Sequence, residues 1–270
     1  MGCKPAHPIV AEDFAPHIPL NGREIVPSPF RGMWGREGQI GLVQIAMTRT
    51  KICGIQEASH ALEAACAGAE VLGLVFVPGR RRRVDEDQAL RIISALREEI
   101  DLPTKVVGLF ANQPVEDVNR AIERCGLDMV QLSGGESLDY CGQLAAPVIR
   151  VLHVADSMPL EDTAASLSRD MEESIERGYM LTLDRKVDGL VGGSGLSFNW
   201  DIAEVLSGRG FDFFLAGGLT PENVGHAIRQ VRPWGVDVSS GVETGGVKDG
   251  KKIRDFIDLV RAEEEVHGRR

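Results

Sequence analysis

Thr50-Lys51-Ile52-Cys53-Gly54-Ile55 sets an ionisable thiol at the end of a short apolar strand, and Gln56-Glu57-Ala58-Ser59 then opens an amphipathic helix with apolar positions at Ala61, Leu62, Ala65 and Ala69. Gly54 allows the sharp turn between the two. A lone cysteine is ordinarily a small buried hydrophobe. At the carboxyl end of a strand in a barrel it instead faces the βα loops, where function sits.

The same alternation continues to the C-terminus. Strands are predicted at Thr50 to Cys53, Val71 to Val77, Lys105 to Phe110, Met129 to Leu132, Val148 to His153, Met180 to Asp184, Phe213 to Leu215 and Gly235 to Val238. Helices are predicted near Glu57 to Ala67, Asp85 to Glu99, Pro114 to Cys125, Glu136 to Leu144, Leu160 to Arg177, Trp200 to Ser207, Thr220 to Val231 and Lys248 to Glu265. Thr220-Pro221-Glu222-Asn223 and Asn112-Gln113-Pro114 carry helix-start signals. Eight βα units with strands apolar on both faces predict an α/β fold, a (β/α)8 TIM barrel; an open doubly wound sheet is the alternative.

The segment before the first strand reads differently. Pro5, Pro8, Pro16, Pro19, Pro27 and Pro29 crowd it, and it shows no sustained period. Residues 1–48 are therefore expected to be an irregular N-terminal extension and 49–270 the barrel domain. Met1-Gly2-Cys3 resembles a myristoylation start, but Ala6 stands where Ser or Thr is needed. Ser28 is the segment's single serine and four acids interrupt it, which does not suit a transit peptide. Translation starting at Met47 would place the first strand almost at once.

With 270 residues the chain has room for one large barrel. A net charge of −10 argues against a nucleic-acid or membrane-surface partner, so an anionic substrate must be met by local groups. Five cysteines without C-x-x-C pairs suggest neither a disulfide framework nor a zinc site, and suit a reducing cytoplasm. The six histidines are dispersed, and no metal is expected.

Candidate chemistry collects at strand ends. Besides Cys53, Asp184 follows Met180-Leu181-Thr182-Leu183 directly. An Asp there is often a helix cap, but a Gly-rich loop separates it from the helix at Trp200. Gly192-Gly193-Ser194-Gly195, Ala216-Gly217-Gly218 and Ser239-Ser240-Gly241 follow the sixth, seventh and eighth strands. Each alone is an ordinary turn; together they occupy the place where barrels bind phosphate, and they favour a phosphorylated ligand. Arg80-Arg81-Arg82-Arg83 follows the second strand; most of such a run is solvated, but one guanidinium turned inward would bind a carboxylate bidentately. Gln131-Leu132-Ser133 supplies polar groups at the same mouth, while His153 reads as a structural histidine.

These motifs, in order from about Thr50, resemble the phosphoribosylanthranilate isomerase family of tryptophan biosynthesis: Lys51-Ile52-Cys53-Gly54-Ile55, Val107-Gly108-Leu109-Phe110, Val130-Gln131-Leu132, Leu183-Asp184, Gly192-Gly193-Ser194-Gly195, Phe198-Asn199-Trp200, Ala216-Gly217-Gly218-Leu219 and Asp237-Val238-Ser239-Ser240-Gly241-Val242-Glu243. The resemblance implies an Amadori rearrangement of N-(5-phosphoribosyl)anthranilate with no metal, nucleotide or organic cofactor. Asp184 would be its general acid and Cys53 its base, with a raised carboxyl pKa and a lowered thiol pKa respectively. Arg82, Gln131 and Ser133 would bind substrate, and Gly193, Ser194, Gly217, Gly218, Ser239 and Ser240 its phosphate. Family members are monomers or homodimers.

Three motifs depart from the pattern. Arg80 and Arg83 replace a Ser and an aromatic around Arg82, Ser133 replaces a His, and Asn199 replaces an Asp. The first two changes lie where the aromatic amine would sit. A paralogous isomerase of another aminoaldose phosphate is one alternative, disfavoured because the histidine-pathway barrel uses paired aspartates. A catalytically inactive phosphate-binding barrel is the other, and it has no use for both an acid and a base.

Overall fold

A computed structural model describes residues 47–154, 158–185 and 200–267. The expected N-terminal extension, and with it the alternative start except for Met47 itself, lies outside the described residues. The eight strands β1 (Arg49–Cys53), β2 (Val71–Val75), β3 (Lys105–Phe110), β4 (Met129–Leu132), β5 (Val148–Val154), β6 (Met180–Arg185), β7 (Phe214–Leu215) and β8 (Gly235–Val238) pair in chain order, all parallel, and β8 closes on β1. The barrel thus replaces the open sheet, and no strand edge is left to cover.

Between them run α1 (Ala58–Ala67), α2 (Glu86–Glu99), α3 (Val115–Cys125), α4 (Leu138–Cys141), α5 (Leu160–Glu176), α6 (Trp200–Gly208) and α7 (Pro221–Val231), with α8 (Gly250–His267) after β8. Strand alternation sorts the core into two layers. Val71, Val75, Val107, Leu109, Met129, Ile149, Met180 and Phe214 fill the barrel with Cys53, while Ile52, Leu72, Leu74, Leu181, Leu183, Val236 and Val238 pack outward against the helices. Because both faces are apolar, the strands read as near-continuous hydrophobic runs.

Two local readings change. The fourth helix, expected from Glu136 to Leu144, is a single turn, capped by the Ser137 side chain on the Tyr140 amide at 3.1 Å and followed at once by Gly142. A small antiparallel hairpin, β9 (Glu243–Thr244) with β10 (Val247–Lys248), stands before α8. Its turn residues Gly245 and Gly246 both have positive φ, 59° and 85°, as a tight hairpin turn requires. Cys66 of α1 is disulfide-bonded, and Cys53, Cys125 and Cys141 are free thiols. No helix among the described residues is long and apolar enough to cross a membrane.

Candidate active site

Cys53 ends β1 and points into the mouth of the barrel, 7% exposed. Its register partner on β2 is Gly73, where a Cβ would come within 3.1 Å of the Cys53 Sγ. A strand residue with no side chain therefore makes the space in which the sulfur lies. Burial raises the thiol pKa, and Asp237 adds to that; Lys51, Lys248 and Arg82 pull it down but do not win. The expectation of a lowered thiol pKa is thus corrected for the free protein. The physical reason is that a charged sulfur among Val75, Leu109 and Val71 loses its hydration.

Beneath the thiol is an ion pair that the motif reading passed over. Lys51, fully buried, donates from Nζ to Asp237 Oδ2 at 2.6 Å across the β1–β8 seam. Burial opposes the ammonium, but Asp237 and Cys53 together raise its pKa, so Lys51 stays charged. A buried pair of this kind is weak evidence for stability, since desolvation consumes most of the attraction. Its position inside the site gives it an electrostatic role instead. Asp237 Oδ1 has no hydrogen-bond partner among the described residues, and neither have Gln131 Oε1 or Thr182 Oγ1. Orphaned buried acceptors of this kind call for a partner.

Asp184 comes from β6, three strands round from β1, and faces inward beside its β5 register partner His153. Burial pushes the Asp184 carboxyl up and Asp237 pushes it further, outweighing the Arg185 amide, which donates to Oδ1 at 2.8 Å, and the opposing pull of His153 and Lys51. The direction of the shift is the one an acid that must hold a proton requires. Lys51 and Asp237 act on both Cys53 and Asp184 and so link them. His153 Nε2 lies 3.2 Å from the Ser133 carbonyl, and since a carbonyl only accepts, the ring proton is on Nε2. That bond fits the structural reading of His153, and it also sets the ring at the rim with Ser133 and Asp184. Gln131 and Ser133 are both buried at the end of β4 and just beyond it.

Arg82 turns inward, as one member of the arginine run was expected to. Its Nε and Nη2 reach Glu243 Oε1 at 2.5 Å and Oε2 at 3.2 Å. Its stem crosses Gly54 so closely that a Cβ there would meet Cδ at 2.4 Å. Arg80, half-buried, and Arg83, exposed, have no ion pair among the described residues.

The loops after β7 and β8 abut. Gly217 and Gly218 both have positive φ, the Asn223 Nδ2 donates to the Gly218 carbonyl at 2.9 Å, and the Thr220 amide donates to Asn223 Oδ1 at 2.8 Å. Across from them, a Cβ on Gly241 would lie 1.9 Å from the Leu219 carbonyl oxygen, a backbone atom with no freedom to move aside. Ser239 and Ser240 stand just before Gly241, and Ser239 Oγ donates to the Cys53 carbonyl at 3.0 Å. Gly217, Gly218, Ser239 and Ser240 therefore stand on two abutting loops, the second of them bonded to the backbone of the thiol, while Gly193 and Ser194 lie outside the described residues. Gly241→Ala is expected to part the two loops. Affinity for a phosphorylated ligand should fall and the fold should lose about 1–3 kcal/mol, read by denaturant titration and KM together.

A family model described as N-(5'phosphoribosyl)anthranilate (PRA) isomerase matches residues 50–259. The chain belongs to that isomerase family. It is 43% identical over 215 residues to the N-(5'-phosphoribosyl)anthranilate isomerase of Dehalococcoides mccartyi, covering 80% of this chain and 96% of the relative. Against the Geotalea uraniireducens enzyme of that name it is 45% identical over 212 residues, covering 78% and 97%. Its fold is similar to that of the solved Thermotoga maritima phosphoribosyl anthranilate isomerase, with a TM-score of 0.68, 32% identity and coverage of 80% and 100%. A second solved isomerase, TM-score 0.66 and 32% identical over the same 80% of this chain and all of that one, was determined in complex with reduced 1-(o-carboxyphenylamino)-1-deoxyribulose 5-phosphate.

Seen as a member of the isomerase family, the chain carries functional groups that motif reading named without assigning them work. Lys51 and Asp237 sat in plain view in the first and last motifs, and the available signal was period 2: Lys51 is two residues before Cys53 and so shares its face. Lys248 gave no such signal, because it enters the site only through the hairpin.

Proposed function

We infer that the protein is an N-(5'-phosphoribosyl)anthranilate isomerase of tryptophan biosynthesis, an intramolecular aldose–ketose isomerase. The observation that carries this reading is the placing of a thiol and a carboxyl with a raised pKa at one barrel mouth, joined electrostatically by Lys51 and Asp237. Asp184 gives its proton to the furanose ring oxygen as the C1–O bond breaks, and the amine lone pair forms a C1=N double bond with positive charge on nitrogen. The Cys53 thiolate then removes the proton on C2, and the electron pair released neutralises the nitrogen to give an enolamine. Gain of a proton at C1 and loss of one from the C2 hydroxyl yield the ketone.

The raised thiol pKa fits this order of events. Ring opening creates a cation next to C2, and a nearby positive charge favours the thiolate. The cation that makes C2–H acidic also readies the base. Phosphate would rest on the Gly217-Gly218 and Ser239-Ser240 loops with Gly193-Ser194, and the anthranilate carboxylate on Arg82, with Gln131 and Ser133 beside it. A cytoplasmic location suits a chain of this activity.

We assign the activity to the barrel, residues 49–270. The test is growth, without tryptophan, of a bacterium that lacks this isomerase, supplied with the full chain or with the chain from Met47. Growth with both is the expected outcome. No growth with either rejects the function, and growth with the full chain alone rejects its assignment to the barrel.

A further inference from the structure

Glu243 is surrounded by cations. Its carboxylate takes Arg82 Nε at 2.5 Å and Nη2 at 3.2 Å, Arg81 Nη2 at 2.6 Å and Lys248 Nζ at 3.1 Å, and its backbone carbonyl takes Lys252 Nζ at 2.8 Å. Lys248, 3% exposed at its side chain, also donates to the Ser239 carbonyl at 2.7 Å. Ser239 Oγ in turn donates to the Cys53 carbonyl at 3.0 Å. A chain of hydrogen bonds therefore runs from the guanidinium beside the second strand, through the hairpin, to the loop after β8 and the backbone of the thiol.

A guanidinium offers five N–H donors on a rigid plane. Glu243 takes the Nε–Nη2 edge, and Nη1 has no hydrogen-bond partner among the described residues. The stem is pinned as well, since it lies against Gly54 and is 15% exposed. An arginine held on one edge presents the other in a fixed direction, which saves the ordering cost of a free side chain.

We propose that Glu243 and Lys248 are positioning residues, which hold Arg82 so that its unused edge receives the substrate's carboxylate and tie that setting to the loop that carries Ser239. The proposal rests on the isomerase reading for the identity of the substrate. Its physical basis is the geometry of the hub, and the charge balance agrees: burial would raise the Glu243 carboxyl, but the Arg82 and Arg81 hydrogen bonds and the Lys248 charge bring its pKa to about 2. Glu243 is thus ionised wherever the protein is folded near neutrality. Without it three cations would face one another, and Arg82 would be free to swing.

The test measures binding, so that it is independent of turnover. Reduced 1-(o-carboxyphenylamino)-1-deoxyribulose 5-phosphate and the same compound without its carboxylate are titrated calorimetrically into the full chain, Glu243→Gln and Glu243→Asp. The unmodified chain is expected to prefer the carboxylated compound by about tenfold or more, as a charge-assisted bidentate contact allows. Glu243→Gln should lose most of that preference while its affinity for the compound without the carboxylate stays within about threefold. Glu243→Asp keeps the charge, and therefore the fold, but is one methylene too short to span Arg82 and Lys248, and should lose part of the preference. An undiminished preference in both variants overturns the proposal. Equal loss of both compounds in both variants also overturns it, since that is what general disruption of the loop would give. If neither compound binds the unmodified chain, the isomerase reading fails first.

Discussion

Cys53→Ala is expected to lower kcat by about 10²–10⁴-fold and to leave KM within about threefold of the unmodified value. Cys53 makes no contact that the phosphate loops or Arg82 would use to hold substrate, apart from a backbone carbonyl that alanine retains. Removing its sulfur leaves a small space over Gly73 and beside Leu109, with the ion pair below intact. The loss therefore falls on the transition state for C2 deprotonation and not on binding. Steady-state rates over a range of substrate concentration check this, and a kcat within about tenfold of the unmodified chain would remove Cys53 from the role of base.

Asp184→Asn should remove activity by a similar factor, about 10²–10⁴, and at the same time raise the melting temperature near neutral pH. The second half follows from the first group's environment. Burial, with Asp237 nearby, raises the carboxyl pKa from 3.8, so the folded chain holds this proton more tightly than the unfolded chain does. Its contribution to stability is complete below the unfolded pKa and is lost as pH rises through the folded value. At neutral pH the unmodified protein bears the cost of an acid in an apolar site, and asparagine does not. The difference in melting temperature should shrink as pH falls toward 3.8 and below. A variant that melts lower at pH 7 than the unmodified chain would contradict the desolvated environment on which this rests.

The two raised pKa values also set the pH profile. Catalysis needs a protonated carboxyl together with a thiolate. The population of that arrangement is level between the two pKa values and falls on either side, so kcat/KM should follow a broad bell. In Asp184→Asn the residual rate depends on the thiolate alone and should climb steadily into the alkaline range.

What could be read in advance follows from periodicity and its limits. The barrel was legible because each strand is apolar on both faces and each βα unit repeats the same length scale, as in Val71 to Val75 before Glu86 to Glu99. Cys53, Asp184 and the glycine loops were legible because they stand directly after such strands. Local pattern carries no information about the meeting of distant charges. That Lys51 would find Asp237, or Arg82 find Glu243, depends on β8 closing against β1, which joins residues far apart in the chain. The thiol pKa was misjudged for the same reason. A lowered value was expected because the role of base asks for a thiolate, whereas the residues that surround and bury the sulfur come from β2 and β3. The fourth helix was over-read because polar residues around Ser137 have no period to contradict a longer helix.

The most direct test of the central claim, that Cys53 and Asp184 together drive an isomerisation of phosphoribosylanthranilate, is the loss of anthranilate fluorescence from freshly made substrate. It is followed with the full unmodified chain, Cys53→Ala and Asp184→Asn side by side. Rapid loss with the unmodified chain and only the slow spontaneous decay with either variant is the predicted result. Equal, slow loss with all three would contradict it.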